Sequence, residues 1–441
     1  MTGDAPAGAR AAAGTRRPAL GAAYWRLWTA TGLSSLADGI VKVGLPLVAL
    51  RYTRSPALIA GLPFAFTLPW LVCALPAGAL VDRVDRRRAM LGADTFRAVL
   101  LAALALAAAL HDGTIWVLYV IALGAGTAET IYDTAAQSIV PQLVGRAVLP
   151  RANGHIYAAE LTGNEFAGPP LAGLLVGAGV LAAVATPAAL WLVAVGALLL
   201  IRGSFRVPRD GKTSMRGDIA EGLRFLWRQR ILRTFTVMIG VFNFATSGTF
   251  AILVLDAVGR QSPMRLSASG YGLLLATVAA GSVAGSLIAP QVERILGRAR
   301  ALAAAVTGGV LLVGIPAVTA SPYLIGAVFF VGGAGVLIAN IIMVSLRQQI
   351  TPDRLLGRVS SANRFVSWGT MPLGAAAAGG LAQFLGLRPV FAILSLVMLA
   401  VLAGLLIVTD DAMDAAERAA VDAGAADPGA AGSGAAESGA G

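Results

Sequence analysis

One cysteine, two histidines and a charged fraction of 13% leave few materials for chemistry in 441 residues. Cys73 cannot form an internal disulfide and has no companions for a zinc or redox cluster. A soluble chain carries about a quarter charged residues, so a surface of ordinary polarity is excluded. There is no HExxH pair, no histidine pair within an apolar run and no cysteine paired with a base. No Gly-x-x-x-x-Gly-Lys-Ser/Thr loop with an ATPase domain is present either, which argues against a membrane enzyme and against a nucleotide-driven pump. No metal and no cofactor is expected.

What remains is apolar. Hydrophobic residues make up 57% of the chain, with 53 glycines and a mean hydropathy of +0.76. That is about 251 apolar residues, and a helix crossing a bilayer uses about 20, so about twelve crossings can be built. The runs are too long for the alternating segments of about 10 residues that mark a membrane barrel. The sequence therefore predicts an all-α membrane protein with twelve transmembrane helices. Their expected positions are 24–50, 57–81, 89–110, 115–140, 152–178, 180–201, 232–257, 269–291, 301–319, 323–346, 360–385 and 388–409.

Residues 1–23 and 410–441 are rich in Ala, Gly and charge and poor in bulky apolar groups, so both are expected to be disordered. The first contains no compact signal-peptide core. Residues 24–201 and 232–409 form two expected six-helix bundles. The linker 202–231 places Ile219, Leu223, Leu226 and Trp227 on one helical stripe, the pattern of an amphipathic interfacial helix.

The net charge of +11 is explained by topology. If the N-terminus is inside, alternate loops on the inner side collect Arg83, Arg86, Arg87 and Arg88, then Arg146 and Arg151, the arginines of the linker, Arg294, Arg298 and Arg300, and finally Arg347, Arg354 and Arg358. The outer loops hold only Arg51, Arg54, Arg260, Arg265 and Arg388. Positive charge is retained on the cytoplasmic side, so both termini are expected there, in a multi-pass protein of the cell membrane. A nucleic-acid partner is not expected, and a single chain is the expected unit.

The halves repeat. Asp82-Arg83 and Glu293-Arg294 open basic turns 211 residues apart, PQLVGRAVLPRAN and TPDRLLGRVSSAN end 210 apart at Asn153 and Asn363, and Gly-Pro breaks recur at Pro170 and Pro372, 202 apart. A duplication of six helices in parallel is implied.

The sharpest local motif is Gly78-Ala-Leu-Val-Asp82-Arg83-Val-Asp85-Arg86-Arg87, after the second span. It resembles the loop signature of the major facilitator superfamily, Gly-x-x-x-Asp-Arg-x-Gly-Arg-Arg/Lys, with Asp85 where glycine is usual. Together with DTFR at 94–97, ETIYDTAAQSIVPQL and GPPLAG, it is similar to the exporter branch that holds the enterobactin exporter and macrolide-efflux proteins. The resemblance implies two pseudo-symmetric bundles and secondary transport by alternating access. It also implies a cytoplasmic latch from Gly78, Asp82, Arg83 and Arg86 that joins the halves in the outward-facing state. Gly168, Pro169, Pro170 and Gly173 resemble the Gly-Pro signature of exporters, although the second glycine of its closing pair is lost. Prolines remove backbone donors, and glycines let helices approach.

Ionisable groups inside spans are costly and mark pathways or proton relays. Asp38 and Lys42 are spaced i, i+4 on the first span and could pair. Glu129 and Asp133 repeat that spacing on the fourth, where at least one would bind a proton or face Arg97, expected near the interface. Glu165 sits beside the Gly-Pro break, near mid-membrane. Glu165, Glu129, Asp133 and Asp38 are the proton-coupling candidates; Asn243, Trp368, Trp70 and Lys42 are the candidates for a substrate cavity. The expected function is proton-coupled export of a small organic molecule, a drug, siderophore or secondary metabolite, with protons, substrate and bilayer as partners. The alternatives are a facilitator or importer of the same fold without proton coupling, and a sensor built on a transporter fold.

Overall fold

The computed structural model describes residues 20–73, 77, 80–81, 83–109, 114–145, 148–206 and 215–425. Within them the chain is helical, with one isolated bridge between Val258 and Leu266. The first half comprises α1 (Ala22–Ala49), α2 (Pro56–Val72), α3 (Arg86–Ala109), α4 (Ile115–Leu143), α5 (Leu149–Leu161), a π-helical turn (Thr162–Ala167), α6 (Gly168–Ala178) and α7 (Val180–Leu199). α8 (Met215–Arg228) lies in the linker. The second half comprises α9 (Arg230–Ala257), α10 (Ala268–Leu296), α11 (Arg298–Val318), α12 (Pro322–Ile350), α13 (Asp353–Leu385) and α14 (Leu387–Gly404), followed by α15 (Asp410–Ala425). Nine of the described helices are long and apolar enough to cross a membrane. α2, the continuous α5–π–α6 rod and α13 pack among them, giving twelve rods.

The halves repeat the same contacts. α1 packs on α7 and the α5–π–α6 rod, α2 on α4, and α3 on α4 and α7; correspondingly α9 packs on α14 and α13, α10 on α12, and α11 on α12 and α14. Small residues make this possible. A side chain at Gly126 would strike the Phe66 carbonyl, at Gly281 that of Phe330, and at Gly374 that of Phe244, so helix backbones touch directly. Gly179 and Gly386 each form a one-residue break before the last helix of a half, at φ 137° and 83°, a conformation that favours glycine. They are 207 residues apart, in keeping with the sequence repeat.

The halves meet along α2 with α13 and α9, and along α6 with α10. At the arginine-poor end the join is tight. Arg54 donates to the Val258 carbonyl at 3.1 Å and Ser55 Oγ to Gln383 Oε1 at 2.8 Å. Gly379 faces the Pro56 carbonyl, and Gly173 touches the Ala268 carbonyl and Gly272.

Two expectations need correction. The tail from 410 is helical over Asp410–Ala425 rather than disordered. Its alanines favour helix, two aspartates open the first turn, and Arg298 ion-pairs with both Asp414 and Glu417. Asp410 Oδ1 accepts from the Ala299 N–H at 2.9 Å, while Met413 is buried. Second, Pro372 does not break its span, because α13 runs through it without interruption. Residues 1–19 and 426–441 lie outside the described residues, whereas Leu20 is buried and α1 starts at Ala22.

Candidate functional site

The charged spans of the first half converge in two clusters. In the deeper one Arg97, fully buried on α3, donates Nη1 to Asp38 Oδ1 at 2.6 Å and Nη2 to Ser34 Oγ at 2.9 Å, and ion-pairs with Asp94. Ser34 Oγ donates to Asp94 Oδ1 at 3.0 Å. The guanidinium lies 5.1 Å from the Tyr132 ring centroid and 5.0 Å from that of Trp191. Four helices, α1, α3, α4 and α7, are thus tied to one cation. Planar delocalised charge suits arginine to this bidentate, ring-flanked role.

The second cluster lies one turn further along α1. Lys42 Nζ donates to Glu129 Oε1 at 2.9 Å and to Asn164 Oδ1 at 3.1 Å, 5.5 Å from the Phe66 centroid. Its side chain keeps 34% exposure, while Glu129 is buried. Asp38 and Lys42 therefore do not pair, although their spacing permits it. Arg97 arrives from α3 at the level of Asp38, and Glu129 from α4 at the level of Lys42, so each finds a partner on another helix. Glu129 faces Lys42 and not Arg97, and Arg97 is a core residue rather than an interfacial one.

Three further carboxylates surround this cluster. Asp133 and Glu160 are half-buried and Glu165 is exposed; none of them makes a hydrogen bond or ion pair among the described residues. Lys42 lies within electrostatic reach of Glu129, Asp38 and Glu165, and Asp133 within reach of Glu129 and Glu160. Glu160 faces Arg364 of the second half, which donates to Gln137 at 3.2 Å.

Glu165 and Asn164 owe their positions to the π turn. Pro169 and Pro170 have no N–H to donate back into the preceding turn. The Gly168 N–H instead reaches the Gly163 carbonyl, five residues back, which is the π-helical bond. The widened turn packs backbone to backbone on α1, with Gly39 against the Gly163 and Asn164 carbonyls and Gly168 against Gly39. The expected break is therefore present one turn before the prolines. Gly173 belongs to the contact between halves, whereas Gly177 has open space around it; Gly281 and Gly285 pack on α12.

In the second half the cavity candidate Asn243 is engaged by the backbone of α13, and neighbouring polar side chains make the same kind of tie. Asn243 Nδ2 donates to the Ser367 carbonyl at 2.9 Å, Ser247 Oγ to the Met371 carbonyl at 2.8 Å, and Thr236 Oγ1 to Asn363 Oδ1 at 2.8 Å, all tying α9 to α13. Trp70 and Trp368 pack edge to face across the halves, centroids 5.0 Å apart.

Of the latch candidates, Gly78 and Asp82 lie outside the described residues. Arg83 offers its carbonyl to Arg206 at 3.1 Å, and buried Arg86 donates to the Phe205 carbonyl at 3.4 Å; both of these contacts are to the start of the linker. Asp85, the departure from the superfamily pattern, accepts from the Phe205 N–H at 2.6 Å, the Arg88 N–H at 3.1 Å and Ser204 Oγ at 3.3 Å. Burial pushes its carboxyl upward, but these donors outweigh it and hold the group below the ordinary carboxylate value.

Sequence reading missed Asn164, Ser34, Tyr132 and Trp191. Their signal was weak: a lone arginine inside the apolar run of α3 needs partners, but nothing along the chain names them.

Residues 14–431 match the transmembrane secretion effector family. The chain is 30% identical over 376 residues to the multidrug efflux pump Tap of Mycolicibacterium fortuitum, covering 82% of this chain and 90% of that one. It is 28% identical over 392 residues to Tap of Mycobacterium tuberculosis (strain ATCC 25618 / H37Rv), with 83% and 88% covered. Among solved structures, the nucleoside transporter NupG superposes with a TM-score of 0.66 at 14% identity, covering 87% of this chain and 99% of that one. A bacterial homologue of the iron transporter ferroportin, in an inward-facing state, gives 0.65 at 16%, with 87% and 98% covered. With this fold and that family match over nearly its whole length, the chain belongs to the transmembrane secretion effectors of the major facilitator superfamily, a multi-pass membrane transporter of the drug-exporter branch.

Proposed function

We propose that the protein is a proton-driven exporter of small amphipathic organic molecules, working by alternating access, with no catalytic activity of its own. The observation that carries this is the trio Asp133, Glu160 and Glu165, three carboxylates without ion-pair partners among the described residues, near the Lys42–Glu129 pair. Unpaired carboxylates at membrane depth are the groups that can exchange protons as access changes. Asp38 and Glu129 are proposed as the fixed part of the network, since each already faces a cation.

The arginine distribution supports placing both termini in the cytoplasm. On that placement the tight arginine-poor join closes the outer side, as in an inward-facing carrier. Protonation of Glu165 would free Lys42 from one of its negative neighbours and favour the opposite facing. The Trp70–Trp368 pair is proposed as an aromatic element that substrate meets between the halves. The relatives named as multidrug efflux pumps support outward transport of drugs.

The test is efflux of ethidium, an aromatic amphipathic probe, from energised vesicles. Collapse of the pH gradient should abolish it; gradient-independent flux would instead identify a facilitator. Replacing Glu165 with Gln should abolish gradient-driven efflux, and intact proton-coupled efflux in that variant would reject the role of Glu165.

A further inference from the structure

Where α3 leaves the arginine-rich end, a cavity of ≈ 600 Å³ opens between α3 and α4 and is closed at its end by the linker around Ser204. Its walls are of two kinds. Arg87, Arg88 and Arg206 line one end, and Phe96, Thr127 and Ile131 line the other. On α3 the residues Arg88, Gly92 and Phe96 fall at i, i+4 and i+8, a single stripe that runs about 12 Å from charge to ring.

Gly92 is what keeps the middle of the stripe open, because a Cβ there would meet nothing within 4 Å. Phe96 is an exposed apolar side chain of this lining, and Leu123, one turn before Thr127 on α4, is exposed as well. Such groups belong against hydrocarbon in a membrane protein. At the charged end the one acid among the described lining residues, Asp85, is taken up by two backbone N–H groups and the Ser204 hydroxyl and also lies within electrostatic reach of Arg88. Arg87 and Arg206 donate to backbone carbonyls, which engages their hydrogens without cancelling their charge. The Arg88 side chain has no hydrogen-bond partner among the described residues. Among the described lining residues three arginines stand against one carboxylate, so the cavity offers positive charge at the level of the membrane surface and an apolar trough leading inward.

We propose that this groove is a binding site for an anionic phospholipid, its phosphate held by Arg88 and Arg206 and one acyl chain lying along Gly92, Phe96, Thr127 and Ile131. The charge selects the phosphate, and guanidinium matches its geometry. The trough selects a ligand with a hydrocarbon chain over a soluble phosphate. The site is separate from the carboxylates of the interior and stands whether or not transport is proton-coupled.

The experiment is native mass spectrometry of the full chain in detergent, titrated with phosphatidylglycerol or with phosphatidylcholine of the same acyl chains. Phosphatidylglycerol should bind preferentially. Arg88→Gln should weaken it about fivefold, the expected worth of one arginine near an anionic lipid. Gly92→Leu should abolish the preference by filling the trough while leaving every charge in place. Arg206→Gln, which loses its bond to the Arg83 carbonyl, is the variant at risk of misfolding; the first two break no side-chain hydrogen bond and keep the test decisive. Glycerol 1-phosphate, the head group without chains, should not displace the lipid. Wild-type lipid preference in both Arg88→Gln and Gly92→Leu would overturn the proposal, and so would displacement by glycerol 1-phosphate, which would identify a soluble phosphate site instead.

Discussion

The two halves are built on one packing scheme and filled with different chemistry. Behind the same helix pairs, the first half buries Asp38, Asp94, Arg97 and Glu129, while the second ties α9 to α13 with Thr236, Asn243, Ser247 and Asn363. Neutral hydrogen bonds between membrane helices contribute about 0.6 kcal/mol on average, enough to align α9 and α13 without opposing motion. A buried ion network is costly to assemble and far more costly to leave half-assembled. On the proposed function, the first half is the one in which gain or loss of one proton changes the balance, and the second, where Asp256 at the end of α9 is the buried acid among the described residues, serves as its frame. The fifth and eleventh spans show the same divergence: Pro169 and Pro170 force a π turn that presents Glu165, whereas Pro372 sits inside an unbroken helix.

The strongest way to break this contrast is Arg97→Met. It strands Asp38 and Asp94 without their cation and should cost about 3–5 kcal/mol, read as loss of folded, monodisperse protein on size-exclusion chromatography. Arg97→Lys should rescue it only in part, since one ammonium cannot reproduce the bidentate, ring-flanked contact. A near-normal melting temperature for Arg97→Met would mean that the cluster does not organise the first half.

Next come matched insults to the shared scheme. Gly126→Leu in the first half and Gly374→Leu in the second each drive a side chain into a neighbouring phenylalanine carbonyl. Both should lose about 2 kcal/mol or more, by similar amounts in thermal unfolding. A large inequality would show that the halves are not packed alike.

Thr236→Val removes one neutral hydroxyl, which lies within hydrogen-bond distance of Asn363 Oδ1 and of the Leu232 carbonyl, and should cost about 1 kcal/mol. An effect as large as that of Arg97→Met would erase the proposed difference between halves.

The smallest effect belongs to Asp85→Asn at the first half's edge. Asp85 has a folded-state value below its ordinary one. Its contribution is therefore present above about pH 4 and lost as pH falls through the lowered value. Melting temperatures of wild type and Asp85→Asn should differ slightly at pH 7 and converge in acid; a gap that widens in acid would contradict this.

The all-helical fold was legible because bilayer thickness sets helix length, and because the duplication left paired landmarks in the sequence. The acidic residues of the interior were legible for a similar reason: charge inside an apolar run has few explanations. Which acid meets which cation was not. The spacing of Asp38 and Lys42 describes one helix, whereas their partners Arg97 and Glu129 come from two others, and that choice is made by helix packing. The π turn escaped for a related reason, since paired prolines announce a disturbance but not which carbonyls will absorb it. Helix α15 was hidden because alanine, glycine and acid read as disorder until Arg298 supplies the opposing charge.

The most direct measurement is ethidium accumulation against its gradient in proteoliposomes under an imposed pH difference, comparing wild type, Glu165→Gln, Asp133→Asn and the second-half variant Asn243→Ala. Wild type and Asn243→Ala should both respond to the pH difference, while Glu165→Gln and Asp133→Asn should fold, carry ethidium only down its gradient and ignore the imposed pH. Uphill transport that survives in the double Glu165→Gln, Asp133→Asn variant, or that is lost only in Asn243→Ala, would contradict a proton-coupled first half.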